Sequence, residues 1–420
     1  MDSKLLNYIE KGNPQPGTVR QMITRGAHVN GIDPNSNTIL HLVMRHCCNK
    51  LEVVRVILNA GADIDAMNID RKTPLLMAIE HCQDISVIIA LIEHGANINC
   101  ADKNNNTPLH FAVINERHSA IDVLLHFKAD VSIRNSDGNS VVHLCVLKND
   151  MQTLKKILQC EDLKIDIDAK NNLEETPLMS AVKVENLEIV RELLLVGASV
   201  RISGIRASTP LHAALKNSPT NMELVEELLW YNADVFDYDM DLLTPLHLAL
   251  NKYYEKESDN LVFSKTLLKF VALRNGDRTD WISHHASARY DIIPELLKYY
   301  KMCLAEVCRM ESELIHENIS FYEFVIQGLN KRALLEKRID YFTFNHILFV
   351  IKAYPIYRDI IVSCINKKYL SRKMMNIAFY TKQENGQKKF LDNDSVFIIC
   401  GYLSNLEILN LIDAFSDFQP

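Results

Sequence analysis

The sequence predicts an all-α fold: a solenoid of one capping and seven helical repeats over residues 1–276, followed by a small all-helical domain over 277–420. Three observations lead there. A four-residue punctuation recurs seven times, as Thr38-Ile39-Leu40-His41, Thr73-Pro74-Leu75-Leu76, Thr107-Pro108-Leu109-His110, Ser140-Val141-Val142-His143, Thr176-Pro177-Leu178-Met179, Thr209-Pro210-Leu211-His212 and Thr244-Pro245-Leu246-His247, at spacings of 35, 34, 33, 36, 33 and 35. An apolar stretch of helical period follows each. Both signals stop after Asn275-Gly276-Asp277.

Each element has a local reason. A threonine hydroxyl can accept from an orphan amide at a helix start, and proline suits the first turn because its missing N–H is no loss there. The leucine begins an apolar stripe. The histidine, one turn in, can reach the threonine hydroxyl or a backbone group. Second helices are expected at Leu51–Leu58, Ile85–Ile92, Ile121–Leu125, Leu154–Leu158, Leu187–Leu195 and Leu224–Leu229. Several end on glycine (Gly26, Gly61, Gly95, Gly197), which accepts positive φ cheaply. Lys128 and Asn232 stand in that place elsewhere, where a tighter or differently closed turn is expected.

A period near 33 residues with this tetrapeptide resembles the ankyrin repeat, whose fold is a stack of helix pairs with projecting hairpin loops. Residues 1–32 read as a degenerate cap: a helix over Ser3–Lys11, a turn at Pro14–Gly17 and a helix over Thr18–Arg25. Seven repeats follow, at about 33–67, 68–101, 102–134, 135–170, 171–203, 204–238 and 239–276. The resemblance implies a protein-binding array.

Composition narrows the function classes. A net charge of −7 argues against a general nucleic-acid binder, and residues 291–420 are balanced with 16 basic and 16 acidic side chains, so the excess lies on the repeats. Met1-Asp2-Ser3-Lys4 lacks the apolar run of a signal peptide, and no stretch approaches the ~18 apolar residues of a membrane span. The ten cysteines are scattered without a C-x-x-C pair, as expected of free thiols in the cytoplasm or the nucleus.

The C-terminal part differs in kind, holding 9 of the 15 tyrosines and 10 of the 15 phenylalanines between residues 291 and 420. Helices are expected at Ile292–Leu314, Ser320–Leu329, Thr343–Ala353, Ile356–Asn366, Met374–Ala378, Asp394–Tyr402 and Asn405–Phe415. Ile319-Ser320-Phe321-Tyr322-Glu323-Phe324, Tyr354-Pro355-Ile356-Tyr357 and Leu391-Asp392-Asn393-Asp394 through Tyr402-Leu403-Ser404-Asn405-Leu406 resemble the PRANC domain. That module follows ankyrin repeats in proteins of poxviruses, parasitoid wasps and bacterial endosymbionts. Its last part is similar to a shortened F-box, here residues 391–415, although Leu391 is followed by Asp392 where F-boxes generally carry proline. The resemblance implies docking on the Skp subunit of a cullin ubiquitin ligase through Leu391, Val396, Ile399, Tyr402, Leu403 and Leu406. The same residues could instead form the domain's own core.

No phosphate-binding loop, nucleophile elbow or H-E-x-x-H motif is present, so no catalytic residue, cofactor or metal is expected. The repeated histidines lie whole repeats apart, which suits hydrogen bonding better than ligation. Partner binding is the positive expectation. Most hairpin tips are polar, but the last three carry Leu173, Ile205 with Arg206, and Met240 with Leu242, and Trp230-Tyr231 adds aromatic anchors. The alternative is that these side chains pack between neighbouring repeats.

Overall fold

The computed structural model describes residues 2–46, 51–160, 165–217, 221–255, 261–275, 293–312, 314–316, 319–320, 325, 353–363, 380–382 and 388–390. Two compact units account for the chain, residues 1–225 with 238–242 and residues 226–237 with 243–420. The division falls inside the second helix of the sixth repeat.

The first unit is a stack of helix pairs. The cap supplies α1 (Asp2–Glu10) and α2 (Pro16–Thr24), so Pro16 opens a helix and does not close the expected turn. The repeats add α3 (Ile39–His46), α4 (Leu51–Asn59), α5 (Pro74–His81), α6 (Ile85–Glu93), α7 (Pro108–Ile114), α8 (His118–His126), α9 (Val141–Leu147), α10 (Met151–Gln159), α11 (Pro177–Lys183), α12 (Leu187–Leu195), α13 (Pro210–Asn217) and α14 (Met222–Trp230). First helices pack on first helices from α1 to α13, and second helices follow the same order from α2 to α10. A seven- or eight-residue helix is too short to be stable alone, so stacking supplies what propensity cannot. The buried apolar faces are those the repeat pattern marks, such as Leu75, Leu109, Val142, Leu178 and Leu211, none of them accessible beyond 1%.

Helix ends follow the expected chemistry with one correction. Thr73 and Thr176 cap α5 and α11 by accepting from the amides of Leu76 and Met179. Gly95 closes α6 at φ 93°, with its amide on the Ile92 carbonyl and that of Ala96 on the Leu91 carbonyl. Lys128 (φ 60°) and Asn232 (φ 68°) close α8 and α14 with the same pair of bonds. The turn is therefore not remodelled where glycine is missing; the stack holds a lysine in the left-handed conformation at a cost of about 1–2 kcal/mol.

The second unit contains the helices of the last repeat, α15 (Pro245–Glu255) and α16 (Leu261–Asn275), together with α17 (Ile293–Ser312) and α18 (Arg358–Ser363). α16 packs on α17. Tyr300, Tyr354 and Tyr357 are among the largest fully buried side chains, which gives the Tyr354–Tyr357 motif a structural role. Polar groups tie that motif down: the Tyr357 hydroxyl donates to the Lys269 carbonyl (3.0 Å), Lys269 pairs with Asp359 (2.6 Å), and the Ile356 amide donates to Glu306 (3.2 Å).

This part is not helical throughout. Leu314–His316 (β1) pairs antiparallel with Ile319–Ser320 (β2), so α17 ends at Ser312, and Ser320 starts no helix. Tyr380–Lys382 (β3) pairs antiparallel with Lys388–Phe390 (β4). The helices expected at Ser320–Leu329, Thr343–Ala353, Met374–Ala378, Asp394–Tyr402 and Asn405–Phe415 fall wholly or mainly outside the described residues.

Candidate partner-binding surface

The hairpin loops are built by one device that sequence reading missed. An Asp or Asn at the start of each of the first five loops accepts two amides on its Oδ1: Asp33 from Asn35 and Asn37, Asn68 from Asp70 and Lys72, Asp102 from Asn104 and Asn106, Asn135 from Asp137 and Asn139, and Asn171 from Leu173 and Glu175. The signal was present in the sequence, as an Asp or Asn five residues before the Thr or Ser of every punctuation except Thr209, where Gly204 stands. Neighbouring tips are then joined backbone to backbone, with Ile69 N–H on Asn35, Lys103 on Asp70, Ser136 on Asn104, Asn172 on Asp137 and Met240 on Arg206, all at 2.8–3.1 Å.

The histidines add a second link between repeats. In His41, Nδ1 accepts from the Thr38 amide (3.1 Å), which leaves the proton on Nε2 to donate to the Lys72 carbonyl of the next repeat at 2.8 Å. His110 reaches the Asn139 carbonyl at 3.2 Å and His143 the Glu175 carbonyl at 3.0 Å in the same way. Burial holds all three rings below the ordinary imidazole range, and the carbonyl bonds only partly oppose it. They are neutral, buried connectors. Among the described residues no group of three or more His, Cys, Asp or Glu side chains is placed to hold a metal ion.

The tips of the fifth to seventh repeats depart from this polar pattern. Leu173 is 56% exposed, Ile205 51%, Met240 72% and Leu242 74%. The sixth tip lacks the capping Asp or Asn; Ile205–Ala207 forms a 3-10 turn with Arg206 (φ 61°) and Ala207 (φ 55°) both left-handed. Arg206 is bonded twice to the seventh tip, its carbonyl accepting from Met240 and its guanidinium meeting Asp241 at 2.5 Å. Leu242 also sits at positive φ, 57°. A branched, exposed side chain in that conformation costs stability and recovers none by burial.

Trp230 and Tyr231 lie in the second unit and are half-buried. Trp230 packs edge-on against Phe270 at 5.6 Å, and Arg274 donates to its carbonyl at 2.8 Å. Its ring is used in packing the last repeat. Sequence reading also overlooked Ile69, 69% exposed at the second tip between two polar residues. Leu391, Val396, Ile399, Tyr402, Leu403 and Leu406 lie outside the described residues.

The repeats define the class. Residues 43–135 and 119–204 match the family model described as ankyrin repeats (3 copies), so this part of the chain carries ankyrin repeats. The chain is similar to the nuclear factor NF-kappa-B p105 subunit of Gallus gallus, at 30% identity over 210 residues (47% of this chain, 21% of that protein). It is also similar to an ankyrin repeat protein of Fowlpox virus (strain NVSL), at 33% identity over 162 residues (37% of this chain, 46% of that protein). Among solved structures, the crystal structure of the ankyrin repeat domain of Bcl-3 aligns with a TM-score of 0.45 and 28% identity, covering 50% of this chain and 93% of that one. The chain spans less than half the length of these two curated relatives. No helix among the described residues is long and apolar enough to cross a membrane.

Proposed function

We propose that the chain is a non-enzymatic scaffold that captures a target protein on the tips of its last three repeats. One observation carries this reading: four exposed apolar side chains, Leu173, Ile205, Met240 and Leu242, stand at loop tips, and Leu242 does so in a backbone conformation unfavourable to leucine. Folding alone does not account for such a residue, whereas an apolar contact with a partner does. Arg206, held by Asp241, stiffens the sixth tip against the seventh and lowers the entropy lost on binding. Trp230 and Tyr231 contribute less, since Trp230 is engaged with Phe270.

The motifs of the C-terminal part support a finer reading, in which residues 277–420 form a PRANC-like module and its segment 391–415 links the captured target to a Skp–cullin ubiquitin ligase. Leu391, Val396, Ile399, Tyr402, Leu403 and Leu406 would form the docking face. In this arrangement catalysis belongs to the ligase and the chain contributes proximity. The alternative is a scaffold or inhibitor that sequesters a signalling or transcription factor without recruiting a ligase. Cytoplasm or nucleus is the proposed place of action.

Two variants test these readings. Combined alanine substitution of Leu173, Ile205 and Met240 removes target capture while leaving the thermal melt unchanged; undiminished capture refutes the tip surface. Deleting residues 391–420 loses the Skp–cullin pair from the purified complex without weakening target capture. Full-length protein that never retains that pair refutes the adaptor and leaves the sequestering scaffold.

A further inference from the structure

The tips of the first and second repeats and the helices α3 and α5 enclose a groove of about 390 Å3, lined among others by Asn35, Arg45, Ile69, Lys72, Met77 and His81. It holds two cations, Arg45 and Lys72, and two carboxylates, Asp70 and Glu80. Lys72 is paired with Glu80 at 2.5 Å and lies over the Phe111 ring at 5.0 Å. Asp70 is paired with Lys103 at 2.6 Å, which holds the carboxyl below its usual range. Both groove carboxylates thus have a cation. Arg45 is exposed, and among the described residues no carboxylate lies within ion-pair distance of it. The imidazole of His81, 3.9 Å from Glu80, is held low by burial; the Glu80 carboxylate opposes that shift, and the charges of Lys72 and Arg45 add to it.

An unneutralised guanidinium on an acidic chain, next to an exposed isoleucine, is a mixed site. Two cations interleaved with two carboxylates cannot serve the evenly charged backbone of a nucleic acid, which needs a continuous cationic track. It does suit one carboxylate, which arginine can hold with two parallel hydrogen bonds.

We infer that this groove receives an extended, acidic segment of a protein partner, with one carboxylate on Arg45 and an adjacent apolar side chain on Ile69. The inference rests on the protein-binding reading above but uses a different surface, so the two can fail separately.

The test uses the full-length chain and a fluorescein-labelled peptide alternating glutamate with leucine, followed by anisotropy at low salt. Lysine–leucine and glutamate–serine peptides of equal length are the comparisons. The glutamate–leucine peptide should bind best. Arg45→Glu should weaken it about tenfold or more, and Ile69→Ser several-fold, as expected for losing a charged hydrogen bond and an apolar contact. Arg45→Lys should fall between wild type and Arg45→Glu. Both residues are exposed, so the variants should melt as the wild type does. On peptide binding, the His81 ring followed by NMR should titrate at higher pH, because a bound carboxylate favours the imidazolium. No binding by the wild type, an unchanged affinity in Arg45→Glu, or equal binding of the lysine–leucine peptide overturns the inference. The Leu173/Ile205/Met240 alanine variant should keep the peptide affinity. A chain that binds the peptide but captures no target at its tips refutes the tip reading alone.

Discussion

Replacing His110 by leucine separates the two tasks of the repeated histidine. The ring is fully buried, its Nδ1 accepting the Thr107 amide at 3.3 Å and its Nε2 bonded to the Asn139 carbonyl at 3.2 Å. The lost inter-repeat bond costs about 1 kcal/mol, since the Asn139 carbonyl keeps a second donor in the Asn135 amide. The Thr107 N–H is left unmatched in a buried position, which costs about 1–2 kcal/mol more. Leu76 and Met179 occupy the same place in the second and fifth repeats, so an apolar side chain fits and no large packing loss is added. The expected destabilisation is about 2–3 kcal/mol near neutral pH.

Acidification then changes the difference in a defined direction. Burial depresses the His110 pKa in the folded state, so the unfolded chain binds more protons. The ring's contribution is complete above the unfolded pKa of about 6.5 and is lost as pH falls below it, at up to about 1.4 kcal/mol per pH unit. The leucine variant has no such proton to bind at this position. Its deficit should shrink between about pH 7 and pH 5. Urea titration by far-UV circular dichroism across that range measures it, with hydrogen exchange locating the loosened amides at α7 and α9. A deficit below about 0.5 kcal/mol at neutral pH, or one that does not change with pH, would refute the reasoning.

Gly138 sits at φ 74°, where an added Cβ would stand 2.5 Å from Asn172 Oδ1 and 2.6 Å from Asn172 N. Gly138→Ala should therefore part the fourth and fifth tips, at a cost of about 2–4 kcal/mol in a urea titration, and a loss under about 1 kcal/mol would show that the tip ladder yields easily. Leu242→Gly relieves the left-handed leucine and should stabilise the chain by about 0.5–1 kcal/mol while weakening target capture; a destabilised variant, or one that captures normally, would count against a binding role for Leu242.

The C-terminal part shows where local pattern fails. The sequence reading ends one helix at Leu314 and begins another at Ser320, yet Leu314–His316 pairs with Ile319–Ser320 in a hairpin. Short apolar runs fit either period, so a tight hairpin is not told from a break between two helices by pattern alone. Trp230 is a similar case: an aromatic pair at a helix end reads as a binding anchor until Phe270, forty residues on, is brought against its ring.

The sequence by itself determined the repeat. Threonine cap, proline at the first turn, leucine stripe and closing glycine act within one or two turns of helix, so their chemistry is legible residue by residue. Histidine bonding to its own threonine was legible for the same reason. What joins one repeat to the next was not: the His41 proton on the Lys72 carbonyl, the tip-to-tip amide bonds, and the left-handed backbone imposed on Lys128, Arg206 and Leu242. These depend on groups about a repeat apart, or on a backbone geometry the stack enforces. The same separation hid the charge pairing of the first groove, where Lys72 and Asp70 find counter-ions and Arg45 finds none among the described residues. Only the tertiary structure decided those, because hydrogen bonding and ion pairing depend on distances in space that a linear pattern does not contain.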